Sequence, residues 1–197
     1  SDVDKVVVAV PTKLLQNQIM NQEAKALSDV FNINFHSLKG PQNYIKLDAF
    51  YQTLLRQDSN RLVNRYKMQL LVWLTETETG DLDEIRQKQR YMAYFDEIKH
   101  DGKLKADSLF AEYDFWQQSY QKAQEARVVV TNHAYLLTRM EDDHDFVRGK
   151  TLVIDEGQKM VLALEQFSRH QVNLTVLLQH IHRILDSGSQ SLLQQRL

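Results

Sequence analysis

Residues 127–137, RVVVTNHAYLL, and residues 151–157, TLVIDEG, set the fold class of this chain. In each stretch a short apolar run rich in β-branched residues stops at polar residues, Asn132-His133 in the first and Asp155-Glu156 in the second. Such runs are typical of buried parallel strands, whose carboxyl ends meet at one edge of an open α/β sheet, where ligands bind. The two stretches therefore predict a parallel sheet with carboxylates at its carboxyl edge.

The Asp155-Glu156 pair suggests phosphoryl-transfer chemistry. In nucleotide hydrolases of the P-loop class, the first such carboxylate helps to hold Mg²⁺ and the second can orient the attacking water. The phosphate-binding pattern G-x-x-x-x-G-K-[ST] is absent from the sequence, because residues 149–151, GKT, lead into a strand and His144 stands at the place of the first glycine. A lone Asp-Glu after a strand is also commonly a helix N-cap with an acidic first turn, and this alternative stays open.

Composition narrows the class of protein. The 197 residues include 43% hydrophobic residues, enough for a packed core, and carry a formal net charge of −2, so any contact with DNA must be local. Because the sequence contains no cysteine, disulfides, thiolate metal sites and cysteine nucleophiles are excluded. We expect a soluble, cytoplasmic protein without membrane contact, since neither a long apolar span nor a secretory pattern is present. The abrupt ends predict a piece of a longer protein.

Periodicity predicts an α/β fold with strands near residues 5, 33, 127 and 151. A helix is expected to begin at Pro11-Thr12 and to continue to residue 27, with Thr12 as its N-cap. From Pro41 to Gln124 the pattern is helical, and helices also follow residue 160. The expected architecture is a partial parallel sheet with a large all-helical insertion and a helical tail.

Five segments in this order resemble the DinG-type DNA helicases, superfamily 2 relatives of the XPD helicases, and most resemble the form found in Gram-positive bacteria. They are residues 7–20 (VVAVPTKLLQNQIM), 38–47 (LKGPQNYIKL), 71–85 (LVWLTETETGDLDEI), 113–137 (YDFWQQSYQKAQEARVVVTNHAYLL) and 152–157 (LVIDEG). The resemblance runs from Lys5 to about Phe167. It implies a piece of an ATP-dependent helicase, or of an ATPase associated with a nuclease, that acts on single-stranded DNA in DNA repair or replication.

The resemblance also implies a domain layout. Residues 1–40 and 125–160 would belong to the P-loop-type motor domain 1 of the helicase. Residues 41–124 would be an insertion at the position of the iron-sulfur domain, and residues 161–197 would begin the arch domain. The partners implied are single-stranded DNA and the remaining helicase domains of the same chain, and relatives of the cluster-free kind carry an amino-terminal exonuclease domain.

The resemblance also implies roles for individual residues. Pro11, Thr12 and Lys13 would form motif Ia, which contacts the backbone of single-stranded DNA. Asp155 and Glu156 would form motif II, with Asp155 on the Mg²⁺ side, indirectly and with ATP, and Glu156 activating water. The residues expected to couple the nucleotide and DNA sites are Asn132, His133 and Gln158. His133 is equally expected as a buried, hydrogen-bonded residue.

Two departures from the family pattern affect the interpretation. Lys46 occupies the place expected for the first cluster cysteine, and a cubane cluster cannot form without thiolates, so the expected cofactors of the longer protein are ATP and Mg²⁺ only. Motif II reads D-E-G-Q, and Gln158 can hydrogen-bond but cannot take up a proton. Lys39 and Lys46 are candidates for a local basic patch that binds DNA.

The 197 residues alone are not expected to hydrolyse ATP, since they contain neither a phosphate loop nor a second motor domain. The alternative from another class is a non-catalytic DNA-binding or interaction module, in which Asp155-Glu156 only cap a helix.

Overall fold

The computed structural model describes residues 4–86, 88–104, 107–143, 145–166 and 168. Four strands form one sheet, and every neighbouring pair is parallel, in the order β2-β3-β1-β4. Their bounds are β1 (Val6–Val10), β2 (Phe35–Ser37), β3 (Val128–Asn132) and β4 (Thr151–Ile154). The predicted α/β fold with a parallel sheet is confirmed.

The two central strands, β1 and β3, are the most deeply buried. Val7, Ala9, Val129 and Val130 are among their buried residues, as expected for parallel strands covered on both faces. β4 differs from the prediction of a buried strand, because Val153 is 46% exposed and Ile154 is 39% exposed. The reason is its place at the edge of the sheet, where β1 is its neighbour within the described residues.

Seven α-helices lie between β1 and β4. They are α1 (Lys13–Asn21), α2 (Glu23–Phe31), α3 (Leu47–Leu54), α4 (Arg61–Leu74), α5 (Met92–Ile98), α6 (Phe115–Glu125) and α7 (His133–Asp142). Residues 157–166 are also helical, and the rest of the predicted helical tail lies outside the described residues. No helix in the described part of the chain is both long enough and apolar enough to cross a membrane.

The region after β1 corrects one prediction. The single helix expected up to residue 27 is two helices, because Gln22, at φ −115° and ψ −74°, interrupts the helical path between α1 and α2. α2 then continues to Phe31 and ends at Asn32 in the left-handed conformation, which asparagine tolerates. β2 consequently begins at Phe35, just after the predicted position near residue 33.

Buried apolar residues form two clusters. The first packs the sheet against α6 and α7 and includes Val7, Ala123 and Leu136. The second lies inside the insertion, residues 41–124, and consists of Ile45, Phe50, Val63, Tyr66, Leu70, Leu82, Tyr94, Phe95 and Ile98. In its described residues the insertion contains the helices α3 to α6, short 3-10 turns and the loops that join them, and two isolated antiparallel bridges, Tyr44 with Asp81 and Ile45 with Lys99. The domain boundaries stay a prediction.

Candidate functional site

The carboxyl edge of the sheet brings three of the predicted segments together. β1 lies between β3 and β4, with Val10 opposite Asn132 and Ala9 opposite Ile154. The backbone N–H of Asp155 donates to the carbonyl of Ala9 at 2.9 Å, which extends the pairing one residue past β4. The segment predicted as motif Ia therefore begins between His133 on one side and, on the other, Asp155, the first residue of the predicted motif II.

Motif II turns sharply out of β4. Glu156 has a φ of 47°, in the left-handed region that costs a non-glycine residue about 1 kcal/mol. The turn leaves Asp155 exposed, while the Glu156 carboxylate lies 2.6 Å from Lys159 Nζ. Among the described residues, neither carboxylate accepts a hydrogen bond from a backbone N–H, so the helix-cap alternative lacks its defining contact here.

His133 connects α7 to motif II. It is the first residue of α7, only 2% exposed, and its Nε2 lies 2.9 Å from the backbone carbonyl oxygen of Asp155. Because a carbonyl oxygen only accepts hydrogen bonds, Nε2 carries the proton and donates it. His133 thus has the buried, hydrogen-bonded placement that was one of its two predicted roles.

Asn132, the last residue of β3, caps α7 and connects β3 to α1. Its Oδ1 accepts from the backbone N–H of Tyr135 at 3.1 Å and so caps α7. Its Nδ2 donates to Gln16 Oε1 at 3.1 Å, so β3 is tied to α1, the helix that follows motif Ia. The predicted coupling residues Asn132 and His133 therefore contact the segments next to β1 and β4, while Gln158 is exposed in the helical turn after Glu156.

Motif Ia opens α1. Thr12 Oγ1 accepts from the backbone N–H of Leu15 at 3.2 Å, which confirms the predicted N-cap. Lys13, whose side chain is 48% exposed, places Nζ 2.7 Å from Asn43 Oδ1 and 3.5 Å from Asp83 Oδ2. The helix terminus and the lysine thus lie at the same edge as the two carboxylates of motif II.

Lys39 and Lys46, predicted to bind DNA, are buried and already paired with carboxylates. Lys39 Nζ contacts Asp81 and lies 3.4 Å from Asp83 Oδ2, and Lys46 Nζ lies 2.5 Å from Asp101 Oδ1. Both ammonium groups would have to leave these partners to reach a phosphate. Their contact with DNA stays a prediction to which the described geometry adds no support.

Comparison with known proteins relates this chain to one group of bacterial enzymes. Over 157 residues, 79% of its length, the chain is 32% identical to the "3'-5' exonuclease DinG" of Staphylococcus saprophyticus. The identity to the protein of the same name from Staphylococcus aureus strain USA300 is 31% over the same length. This chain is homologous to part of staphylococcal DinG. It spans 17% of the length of each of these two relatives, and no protein-family model matches it.

The DinG-related chain has a groove along the carboxyl edge, with a volume of about 700 Å³. The residues that line it include Pro11 and Lys13 of motif Ia, Asn132, and two residues of α7, Tyr135 and Arg139. The lining also includes the carboxylates Asp101 and Asp142, and Arg139 Nη2 already lies 3.2 Å from Asp143 Oδ2 and 3.1 Å from the Tyr120 hydroxyl, so the groove carries both signs of charge. Arg139, on α7, was not among the residues predicted from the sequence.

Gln16 is a further residue that the sequence interpretation missed in this DinG homologue. It is fully buried, and its Nε2 faces Ser37 Oγ at 3.0 Å and the carbonyl oxygens of Leu38 and Val130 at 3.1 and 2.9 Å. One amide therefore joins α1 to the ends of β2 and β3. The available signal was a polar residue at the apolar positions of a helix, three and four residues before Ile19 and Met20.

Metal binding by motif II would need ligands from elsewhere. In the described part of this DinG-related chain, no group of three or more His, Asp or Glu side chains is placed to hold a metal ion. Carboxylate oxygens do suit Mg²⁺, which commonly takes one or two carboxylates together with water and substrate phosphates. Asp155, which is exposed, offers one such carboxylate, while the Glu156 carboxylate is paired with Lys159.

Proposed function

We propose that the chain is part of a DinG-like, ATP-dependent DNA enzyme, in which it supplies motif Ia for single-stranded DNA and motif II for ATP hydrolysis. The observation that supports this proposal is that residues 11–13 follow the central strand β1 and begin between His133 and Asp155, at one edge of a parallel sheet. The longer enzyme would act in bacterial DNA repair or replication in the cytoplasm, with or without a fused exonuclease domain.

The chemistry assigned to motif II is positioning of water and metal. When Mg²⁺ is bound with ATP, it neutralises charge on the phosphates, and Asp155 would hold it through water. Glu156 would accept a hydrogen bond from the attacking water and orient it. Its left-handed backbone turns the residue out of the strand direction, and Lys159 would release the carboxylate. The phosphate loop would come from another part of the longer protein, so this chain alone would not hydrolyse ATP.

We assign the coupling between the ATP site and the DNA site to buried hydrogen bonds. His133 donates to the backbone of Asp155, and Asn132 in the preceding position donates to Gln16 on α1. A shift of motif II on hydrolysis would therefore reach the helix that carries Thr12 and Lys13. Exposed Gln158 would act from the opposite side of motif II.

The decisive experiment measures ATP hydrolysis by a longer protein that carries this chain, with and without single-stranded DNA. Replacing Glu156 by glutamine keeps the size of the side chain but removes its charge, and turnover is expected to fall by about 10²- to 10⁴-fold. Glu165→Gln, at an exposed position of the helix at residues 157–166, is the matched control and should retain wild-type turnover. Unchanged turnover in Glu156→Gln would instead favour the non-catalytic DNA-binding module.

DNA binding can be tested on the chain itself. Fluorescence anisotropy with a labelled single-stranded oligonucleotide should show weak binding that decreases as salt rises, because phosphate contacts release counterions. Lys13→Ala should weaken binding and lower the magnitude of the logarithmic salt slope by about 0.7. Lys25→Ala, at an exposed position on α2, should leave both quantities unchanged. Equal effects of the two variants would remove Lys13 from the proposed site.

A further inference from the structure

The lysine of motif Ia is held by the insertion. Both groups near Lys13 Nζ, the Asn43 amide oxygen at 2.7 Å and the Asp83 carboxylate at 3.5 Å, belong to residues 41–124. An ammonium group has three N–H donors, and a DNA phosphate would need one or more of them. The insertion therefore occupies part of the donor capacity that motif Ia offers to DNA.

Asp83 is itself fixed in place. Its carboxylate contacts Lys88 Nζ and lies 3.4 Å from the buried Lys39 Nζ, and its backbone N–H donates to Asp81 Oδ1 at 2.9 Å. Burial by itself raises the pKa of Asp83, but the hydrogen bond from Lys88 and the charges of Lys39 and Lys13 lower that pKa to about 2. The carboxylate is thus charged at neutral pH and stays next to Lys13.

We propose that Asp83 is a positioning residue that holds Lys13 on the insertion and competes with DNA phosphate for it. The inference rests on the proposed role of motif Ia in DNA binding. If Asp83 has this role, the insertion controls the affinity of motif Ia for single-stranded DNA, because one carboxylate occupies the place of a phosphate. A movement of the turn that carries Asp83 would release the lysine and raise that affinity.

The size of the effect follows from the exposure of the pair. Lys13 is 48% exposed and Asp83 is 20% exposed at the side chain, so solvent screens their attraction. Solvent-exposed ion pairs of this kind contribute little free energy. Removal of the Asp83 carboxylate should therefore tighten DNA binding by only about two- to fivefold. The same removal takes away a negative charge that repels an approaching phosphate.

A pair of variants separates the specific contact from general charge. Asp83→Asn and Asp81→Asn each remove one negative charge from the same turn and one partner of Lys39, but only Asp83 lies near Lys13. In anisotropy titrations of the chain with a single-stranded oligonucleotide, Asp83→Asn is expected to bind about threefold more tightly than Asp81→Asn. Asp83→Glu, which restores the charge, should return the affinity toward that of the wild type.

A double-mutant cycle tests whether the effect passes through the lysine. In a Lys13→Ala background, Asp83→Asn should change DNA affinity no more than Asp81→Asn does, because only the general loss of a negative charge remains, whereas a merely structural effect of Asp83 would persist. A gain of equal size in Asp81→Asn when Lys13 is present, a gain from Asp83→Asn in Lys13→Ala that exceeds that of Asp81→Asn, or weaker binding by Asp83→Asn would each overturn the proposal. If Lys13→Ala itself leaves DNA binding unchanged, the proposed DNA site is wrong, independently of Asp83.

Lys88→Met provides a second route if Asp83→Asn does not fold. This variant keeps Asp83 charged but removes a competing cation, so Asp83 should hold Lys13 more firmly and DNA binding should weaken. The weakening should shrink in the Lys13→Ala background to the part that the lost positive charge causes by itself, and undiminished weakening there would overturn the proposal. Circular dichroism melts of every variant confirm that the chain is folded at the temperature of the titration.

Discussion

His133 Nε2 lies 2.9 Å from the backbone carbonyl oxygen of Asp155, so the first residue of α7 holds the residue that follows β4. This contact joins the ends of two strands that are not neighbours in the sheet, since β1 runs between them. The imidazole thus spans the strand from which motif Ia emerges. Any displacement of motif II must either carry α7 with it or break this hydrogen bond.

Replacing His133 by phenylalanine should destabilise the chain. The variant keeps an aromatic ring but cannot donate to Asp155, and a hydrogen bond of this kind contributes about 1 kcal/mol to the free energy of unfolding. His133→Gln, which retains an N–H donor, should lose less. Urea denaturation measures both values, and a phenylalanine variant as stable as the wild type would show that the contact contributes nothing.

Gln16→Leu should be more damaging, because it takes the acceptor of the buried Asn132 Nδ2 away and leaves an amide that costs about 1–3 kcal/mol when unsatisfied. The carbonyl oxygens of Leu38 and Val130 each lose one donor but keep another, the Thr131 hydroxyl and the Leu38 N–H, respectively. Gln18→Leu, at an exposed position of α1, is the matched control and should change the free energy of unfolding little. Similar urea midpoints for the two variants would contradict the role given to Gln16.

Gly80 and Gly149 allow a steric clash to be separated from backbone strain. Both have positive φ, 64° and 69°, but a Cβ on Gly80 would lie 2.2 Å from Phe115 Cγ, whereas nothing lies within 4 Å of one on Gly149. Gly149→Ala should therefore cost only the left-handed conformation, about 1 kcal/mol. Gly80→Ala should cost clearly more in urea denaturation, and equal losses would mean that Phe115 moves aside without penalty.

His36 should make the stability of the chain depend on pH. Burial, followed by the charge of Lys122, lowers its pKa from 6.5 to about 4. Because the unfolded chain takes up the proton first, the stability due to neutral His36 is complete above about pH 6.5 and is lost as pH falls toward 4. Melting temperatures across this range should vary less in His36→Gln, and an unchanged pH profile would exclude His36 as the cause.

The parallel sheet and the segments that meet at its carboxyl edge could be predicted because both depend on local sequence. β-Branched runs that stop at polar residues marked β3 and β4, and the Thr12 hydroxyl at the start of a helical pattern marked the cap of α1. Parallel pairing then brings the strand ends to one edge whatever lies between them. For that reason, the relation between motif Ia and motif II did not require knowledge of the insertion.

The ion pairs of Lys39 and Lys46, in contrast, could not be predicted from local sequence. Lys39 pairs with Asp81, 42 residues away, and Lys46 pairs with Asp101, 55 residues away, so no local pattern shows that their charges are neutralised within the fold. The break at Gln22 has a similar origin, since neither glycine nor proline marks it.

The sheet order also bears on how the chain folds during synthesis. β1 is made first among the described strands, but it pairs with β3 and β4, which begin at residues 128 and 151. The apolar cluster from Ile45 to Ile98 is complete before either partner leaves the ribosome. Since contacts close in sequence form faster than distant ones, the insertion should become ordered first, and motif Ia should be fixed only when β3 and β4 close the sheet around β1.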